Sequence, residues 1–278
     1  MKKVIILSTL FLGFNLSFGQ DLTVNTKPEP LSKKGQMFVF FGWNRGAFSN
    51  SDIHFKGNGY DFQLDNVVAH DRPTPFGIVY FDPAWFTVPQ YNFRVGYFIK
   101  DNLALVLGID HMKYVMDQNQ TVNFSGNITD PTYAAYVQNG QVNLADENFL
   151  TFEHTDGLNY ENLGLEKYQN LINKKNIDLV WSYGGGIGVM FPKSNVKLFG
   201  NERSDRFHVA GMGTDLRTSL NLVFWNHFMA RLEAKAGYIN MWDIKTTLSN
   251  KPDKASQDFV FGQVMFGVGY TFNTKKNK

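Results

Sequence analysis

Near its C-terminal end the chain alternates with a period of two. Val260, Val264, Phe266, Val268, Tyr270 and Phe272 share one side, interrupted by Gly262, while Gln263, Met265, Gly267 and Gly269 share the other. Only an extended strand places every second side chain on one face. The pattern recurs along the chain. Met37, Val39, Phe41 and Trp43 alternate with Gln36, Phe38, Phe40 and Gly42, and Tyr91, Phe93, Val95 and Tyr97 with Asn92, Arg94 and Gly96. Leu103, Leu105, Leu107 and Ile109 oppose Ala104, Val106, Gly108 and Asp110. Leu179, Trp181, Tyr183, Ile187 and Val189 oppose Asp178, Ser182 and Gly184, Gly186 and Gly188. Leu216, Leu220, Leu222 and Phe224 oppose Asp215, Arg217, Ser219 and Asn221. Phe228, Ala230, Leu232, Ala234 and Tyr238 oppose Arg231, Glu233 and Lys235. A weaker strand covers 149–168 and slips near Gly157, where a bulge is expected.

One side of each strand is largely apolar, and on several strands the other side carries charge. The chain carries 26 Phe, 12 Tyr and 5 Trp, yet no segment after the N-terminus holds 18 consecutive apolar residues, so helical membrane spans are excluded. A polypeptide that crosses lipid without helices must close its strands on themselves, because hydrocarbon satisfies no unpaired backbone group. The expected fold is an all-β, closed antiparallel transmembrane β-barrel with long extracellular loops. Eight strands account for the pattern; ten to twelve follow if Ile53–Leu64 and Phe76–Phe81 are wall strands.

The N-terminus reads as an export label. Lys2 and Lys3 precede an apolar run from Val4 to Phe14, and Ser17-Phe18-Gly19 offers small residues at a cleavage site. The expected division is 1–19 cleaved signal peptide, 20–34 periplasmic segment, 35–272 barrel and 273–278 polar tail. Loss of Lys2 and Lys3 leaves 25 Lys and Arg against 25 Asp and Glu, which argues against a nucleic-acid partner. The absence of cysteine excludes disulfides, thiol nucleophiles and Cys-ligated zinc.

With both chain ends on the periplasmic side, the shortest turns, near Asp101 and Asn226, fall there too. The long connections, about 46–87, 128–147, 192–206 and 244–256, fall outside. The inward faces then hold Arg94, Arg217, Arg231 and Lys235 against Asp110, Asp178, Asp215 and Glu233, a charge-balanced polar network. A basic member facing lipid at mid-depth would cost about 2–4 kcal/mol. An eight-stranded ring is just wide enough for side chains to fill it, so the interior is expected to be plugged.

Alternating strands, an export label, short turns on one side and an aromatic last strand resemble the small outer-membrane β-barrel proteins, such as OmpX, the transmembrane domain of OmpA and the lipid A deacylase PagL. The resemblance runs through Met37–Trp43, Tyr91–Ile109, Trp181–Phe191 and Val260–Phe272. It departs from them in the polar tail after Phe272. It implies an outer-membrane location in a Gram-negative bacterium, contacts with outer-membrane lipid and lipopolysaccharide, and insertion by the barrel-assembly machinery. Members act as tethers, adhesins, resistance factors or lipid-modifying enzymes.

His154, with Asp156 and Glu161 or Glu166 nearby, is similar to the external His-Ser-Glu set of PagL-like deacylases, but Asp156 stands where the serine is expected. A rim cluster of hydrogen bonds is the plainer reading. Asp110 and His111 are adjacent and so point to opposite faces, the first inward and the second toward the aromatic interface. His54, His70, His208 and His227 lack ligand spacing, so neither metal nor cofactor is expected. Gly184-Gly185-Gly186-Ile187-Gly188 lacks the Lys-Ser/Thr of a phosphate loop and reads instead as room for bulky inward neighbours. Arg203 and Arg206 could clamp lipopolysaccharide phosphates. The aromatic segment Tyr80–Phe86 should pack on the barrel mouth or form a contact surface. The expected role is a non-enzymatic surface or envelope function: adhesion, membrane stabilisation or docking with a partner in the envelope. The alternatives are a lipid A hydrolase using His154 and, with ten or more strands, a narrow pore.

Overall fold

The computed structural model describes residues 33–273 apart from 83, 86, 87, 175, 203, 205 and 249–251. The expected signal peptide, most of the segment 20–34, nearly all of the polar tail and Arg203 lie outside the described residues. No described helix is long and apolar enough to cross a membrane.

The chain begins in β1 (Gln36–Phe48), whose first long connection carries β2 (Ser51–Gly57), β3 (Tyr60–Val67) and β4 (Ala69–Asp71). A hairpin follows, β5 (Tyr91–Lys100) and β6 (Leu103–Met112), turning at Asn102 with φ 62°. The second long connection carries β7 (Tyr114–Met116), β8 (Thr121–Ile128), β9 (Val137–Gln138), β10 (Gln141–Asn143) and β11 (Leu150–Glu153). Next comes the hairpin of β12 (Leu158–Lys174) and β13 (Ile177–Met190), and then a third connection with β14 (Asn195–Leu198). The last hairpin joins β15 (Gly211–Phe224) to β16 (Phe228–Lys245) through Trp225 and Asn226, both at positive φ, and a short fourth connection leads to β17 (Lys254–Asn273).

Eight of these strands pair antiparallel in the order β1, β5, β6, β12, β13, β15, β16, β17, and β17 pairs back onto β1, so the sheet forms a ring. Starting at Val260 on β17, directly opposed residues run through Tyr238, Thr214, Ile187, Leu163, Leu107, Val95 and Val39. The row then returns to β17 at Tyr270, ten residues further on. With strands ~4.8 Å apart and ~3.3 Å of rise per residue, that stagger tilts them by about 40°. All members of the row face outward.

The three hairpin turns, the start of β1 and the end of β17 lie at one end of the ring, the turn end. The long connections gather at the other as a folded cap. There β17 outgrows its ring partner β1 and pairs with β2, which continues through β3, β8, β10 and β9. A separate four-stranded sheet runs β14, β11, β7, β4. Ile53–Leu64 is thus the β2–β3 hairpin of the cap, whereas Ile78–Tyr80 forms a single 3-10 turn. The expected strand over 149–168 divides: Leu150–Glu153 belongs to the cap, and the wall begins only at Leu158, after Gly157 at φ 143°. Instead of slipping register there, the chain leaves the ring altogether. The second connection therefore spans 113–157 rather than 128–147.

The cap has a conventional core. Ile53, Phe55, Phe62, Leu64, Tyr114, Phe149 and Phe152 are buried in it, continuous with Met112, Leu158, Met190, Ile239, Met241 and Phe261 from the inward faces of the ring. Phe62 stacks between Phe55 and Phe124, with centroids 5.1 and 5.2 Å away. A second apolar cluster fills the turn end from inside: Phe38, Phe40, Phe98, Ala104, Val106, Tyr168, Val180, Val223, Met229 and Met265.

Candidate functional site

Between these two apolar layers lies a belt of fully or nearly fully buried charge. Arg94 pairs with Asp110, which also accepts from Lys235 Nζ at 2.5 Å. Glu233 lies 3.7 Å from Arg94, 3.9 Å from Lys235 and 2.5 Å from Arg231. Arg231 also donates to Glu166 at 2.9 Å. Arg217 lies 3.6 Å from Glu166 and donates through Nε to Asp215 at 2.7 Å. The eight charges thus form one chain of alternating sign across the lumen. Burying ions is costly unless they are paired and hydrogen-bonded, and here each is paired. Asn92 and Asn162 add further donors to Asp110.

The belt needs space that the wall provides by omission. A Cβ on Gly108 would sit 2.8 Å from Arg94 Cδ, and one on Gly186 would sit 2.6 Å from Arg217 Nη2. The glycine run of β13 therefore seats a guanidinium at Gly186. Tyrosines mark both boundaries. On the cap side Tyr160 donates to Asp215 at 3.0 Å, and on the turn side Tyr168 donates to Glu166 at 2.8 Å. Each keeps its ring in the apolar layer and its hydroxyl among the ions. Arg231 stands 5.7 Å over the ring of Phe40, closing the lower boundary.

Of the expected inward set, Arg94, Asp110, Asp215, Arg217, Arg231, Glu233 and Lys235 come together. Asp178 does not. It lies near the start of β13, beside the turn, and makes no ion pair among the described residues. Its place in the belt is taken by Glu166. The alternation of β12 puts Glu166 on the inward face with Asn162, Gly164 and Tyr168.

The His154 group disperses. Glu161 faces outward on β12, opposite Ile109 and Val189, and Asp156 is exposed beside Lys193 at 3.5 Å. Neither reaches the histidine. The partner His154 does have is Ser194, whose Oγ lies 2.7 Å from Nδ1. Forty residues separate them, and the pairing of β11 with β14 brings them together, so no local pattern announced it. The pair resembles a nucleophile and its base, but His154 is 0% and Ser194 4% exposed, packed under Tyr114 and Phe152. Burial pushes the imidazole down to about 4. No ester can reach that hydroxyl while the cap is closed.

Two spaces remain. A void of about 30 Å³ at the turn end, bounded by Phe38, Phe98, Tyr168 and Met229 among others, holds room for one or two waters. An open cleft of about 840 Å³ lies across the top of the cap, with Tyr60, Tyr133 and Phe199 beside Asp130, Glu202 and Asp253. No described group of three or more His, Asp or Glu side chains is arranged to hold a metal. Arg206 is exposed in the loop before Phe207. His111 stacks on Tyr91 at 5.1 Å and bonds Asn159 at 2.8 Å, at the rim.

No family model and no curated protein matches the chain. Among solved structures it is similar to the outer membrane protein OprG from Pseudomonas aeruginosa, at 9% identity over 87% of this chain and 98% of that one, with a TM-score of 0.43. It is also similar to the outer membrane protein AlkL in lipid bilayers, at 9% identity over 94% and 99% with a TM-score of 0.39. A third is Neisserial surface protein A, at 11% identity over 86% and 98% with a TM-score of 0.35.

Proposed function

We propose that the ring is an eight-stranded barrel spanning the outer membrane of a Gram-negative bacterium. In this reading it is a non-enzymatic anchor that holds the folded cap outside the cell for adhesion or docking. One observation carries this: the wall is inverted. Leu107, Ile187, Leu216, Leu232, Val264, Phe266 and Val268 face outward, each more than half exposed, while the paired belt of four acids and four bases is shut inside. Soluble proteins rarely leave a contiguous apolar surface above a few hundred Å². From the Phe228–Tyr270 pair to the Tyr238–Val260 pair is ten residues along β16. At ~3.3 Å per residue and ~40° of tilt, that is about 25 Å of height, the thickness of the lipid-facing band of such barrels. Aromatic residues stand at both edges, with Trp225, Phe228 and Tyr270 at one and Trp43, Tyr91, Tyr238 and Trp242 at the other.

A pore or a hydrolase finds no support in this geometry. The lumen is filled at three levels, and the His154–Ser194 pair is sealed. In planar bilayers the purified protein should give no steady unitary openings; reproducible openings would contradict the filled interior. Orientation is tested in whole cells, where the absence of native cysteine makes single labels clean. Asn58→Cys in the cap should react with a membrane-impermeant maleimide and Lys100→Cys at the turn end should not. The reverse result would refute display of the cap.

A further inference from the structure

One segment of the cap takes no part in its core. Phe76, Ile78 and Phe81 are 80, 79 and 65% exposed, although Tyr80 between them is buried. Tyr80 fastens the segment to the outer wall of the ring and not to the cap. Its ring lies 5.8 Å from that of Trp43, its hydroxyl donates to the Thr74 carbonyl at 2.7 Å, and it accepts from Arg45 Nη2 at 3.3 Å. Lys113 Nζ holds the same end through Thr74 Oγ1 at 2.9 Å. Trp43 belongs to the outward aromatic row: it packs edge-on against Phe41, and Phe41 stacks on Tyr91 at 5.8 Å. Phe76 and Phe81, 5.8 Å apart, therefore prolong the apolar wall sideways at its upper rim. Arg45, outward on β1 opposite Val264, is exposed there and makes no ion pair among the described residues.

An apolar surface continuous with a lipid-facing wall, edged by an exposed arginine that donates to the Asn44 carbonyl and to Tyr80, fits the boundary between acyl chains and phosphates. Aromatic rings and arginine stems are favoured there because one end of each is apolar and the other wet. We propose that Phe76, Ile78 and Phe81 insert into the outer-leaflet interface, with Arg45 at the level of the lipid phosphates, so that the segment is a clasp seated in the membrane surface. This rests on the transmembrane reading of the ring.

The test uses four single-cysteine variants carrying an environment-sensitive fluorophore: Ile78→Cys and Phe81→Cys in the clasp, Leu216→Cys on the wall, and Asn58→Cys in the β2–β3 turn. All four sites are exposed in the protein alone, and heat-modifiable gel migration verifies that each variant is folded. They are reconstituted in phosphatidylcholine–phosphatidylglycerol vesicles whose acyl chains carry bromine near the headgroup. The expected result is quenching of the clasp probes and the Leu216 probe severalfold above that at Asn58. If Leu216 is quenched while both clasp probes match Asn58, the clasp lies in water, its apolar side chains are left for a protein partner, and the proposal is overturned. If Leu216 also matches Asn58, the transmembrane reading fails and the clasp with it.

Discussion

The ring and the cap are built by opposite rules from one chain, and β16 shows the change within a single strand. Its inward face runs Arg231, Glu233, Lys235, then Ile239, Met241 and Ile244. Its outward face runs Leu232, Ala234, Tyr238, then Asn240. From Arg231 to Tyr238 charge is inside and hydrocarbon side chains are outside; above Tyr238 the inside turns apolar and the outside carries Asn240 beside Trp242. On β17 the polar outward residue Asp258 stands opposite Asn240 and accepts from Tyr238 at 3.0 Å. A side chain is hidden from whatever surrounds it unfavourably. The change therefore marks the level at which, on the proposed reading, lipid gives way to water.

The sharpest break of this comparison removes a central ion. Arg231→Met leaves Glu166 and Glu233 buried with less compensation and should cost about 3–5 kcal/mol. Urea unfolding of the micelle-bound barrel, followed by the loss of heat-modifiable migration, measures it; a change below about 1 kcal/mol would mean the belt is hydrated or dispensable. The matched cut in the cap is Phe62→Ala, which opens a hole among Phe55, Phe124 and Phe149 and should cost about 3–5 kcal/mol. Its effect should appear as protease sensitivity of the cap with the ring still resistant. Collapse of both together would show one cooperative unit.

A smaller effect is expected from Leu216→Arg on the outward wall, about 2–4 kcal/mol if that position lies at mid-depth in lipid. In water the same exposed change would be nearly neutral, so the value reports the solvent directly. The pH dependence of the cap comes next. His154 sits near 4 in the folded cap and near 6.5 unfolded, so its contribution is full above about 6.5. As pH falls toward 4 the unfolded chain takes the proton first, and stability drops by up to roughly 3 kcal/mol before levelling off. His154→Gln should flatten that slope in pH-dependent proteolysis of the cap. Least affected should be Asp178→Asn, within about 1 kcal/mol, because Asp178 stands apart from the belt.

The strands of the wall were legible because alternation is local: each residue reports its own face, and Arg94, Arg217 and Arg231 could be set inward one strand at a time. Glu166 was equally visible in the alternation of β12. The cap was not. Its strands are short, with three residues in β7 and four in β11 and β14, too few for a period to show, and they read as loops.

From sequence alone came most of the ring strands and the sorting of their side chains onto two faces, since a period of two is a local property; the extent of β12 and the place of Glu166 in the belt came from the structure. Only tertiary structure decided that the long connections fold over the mouth, that Ser194 meets His154 and that Tyr80 is pinned to Trp43. Those contacts join residues 37 to 40 apart through pairings whose register no single segment encodes.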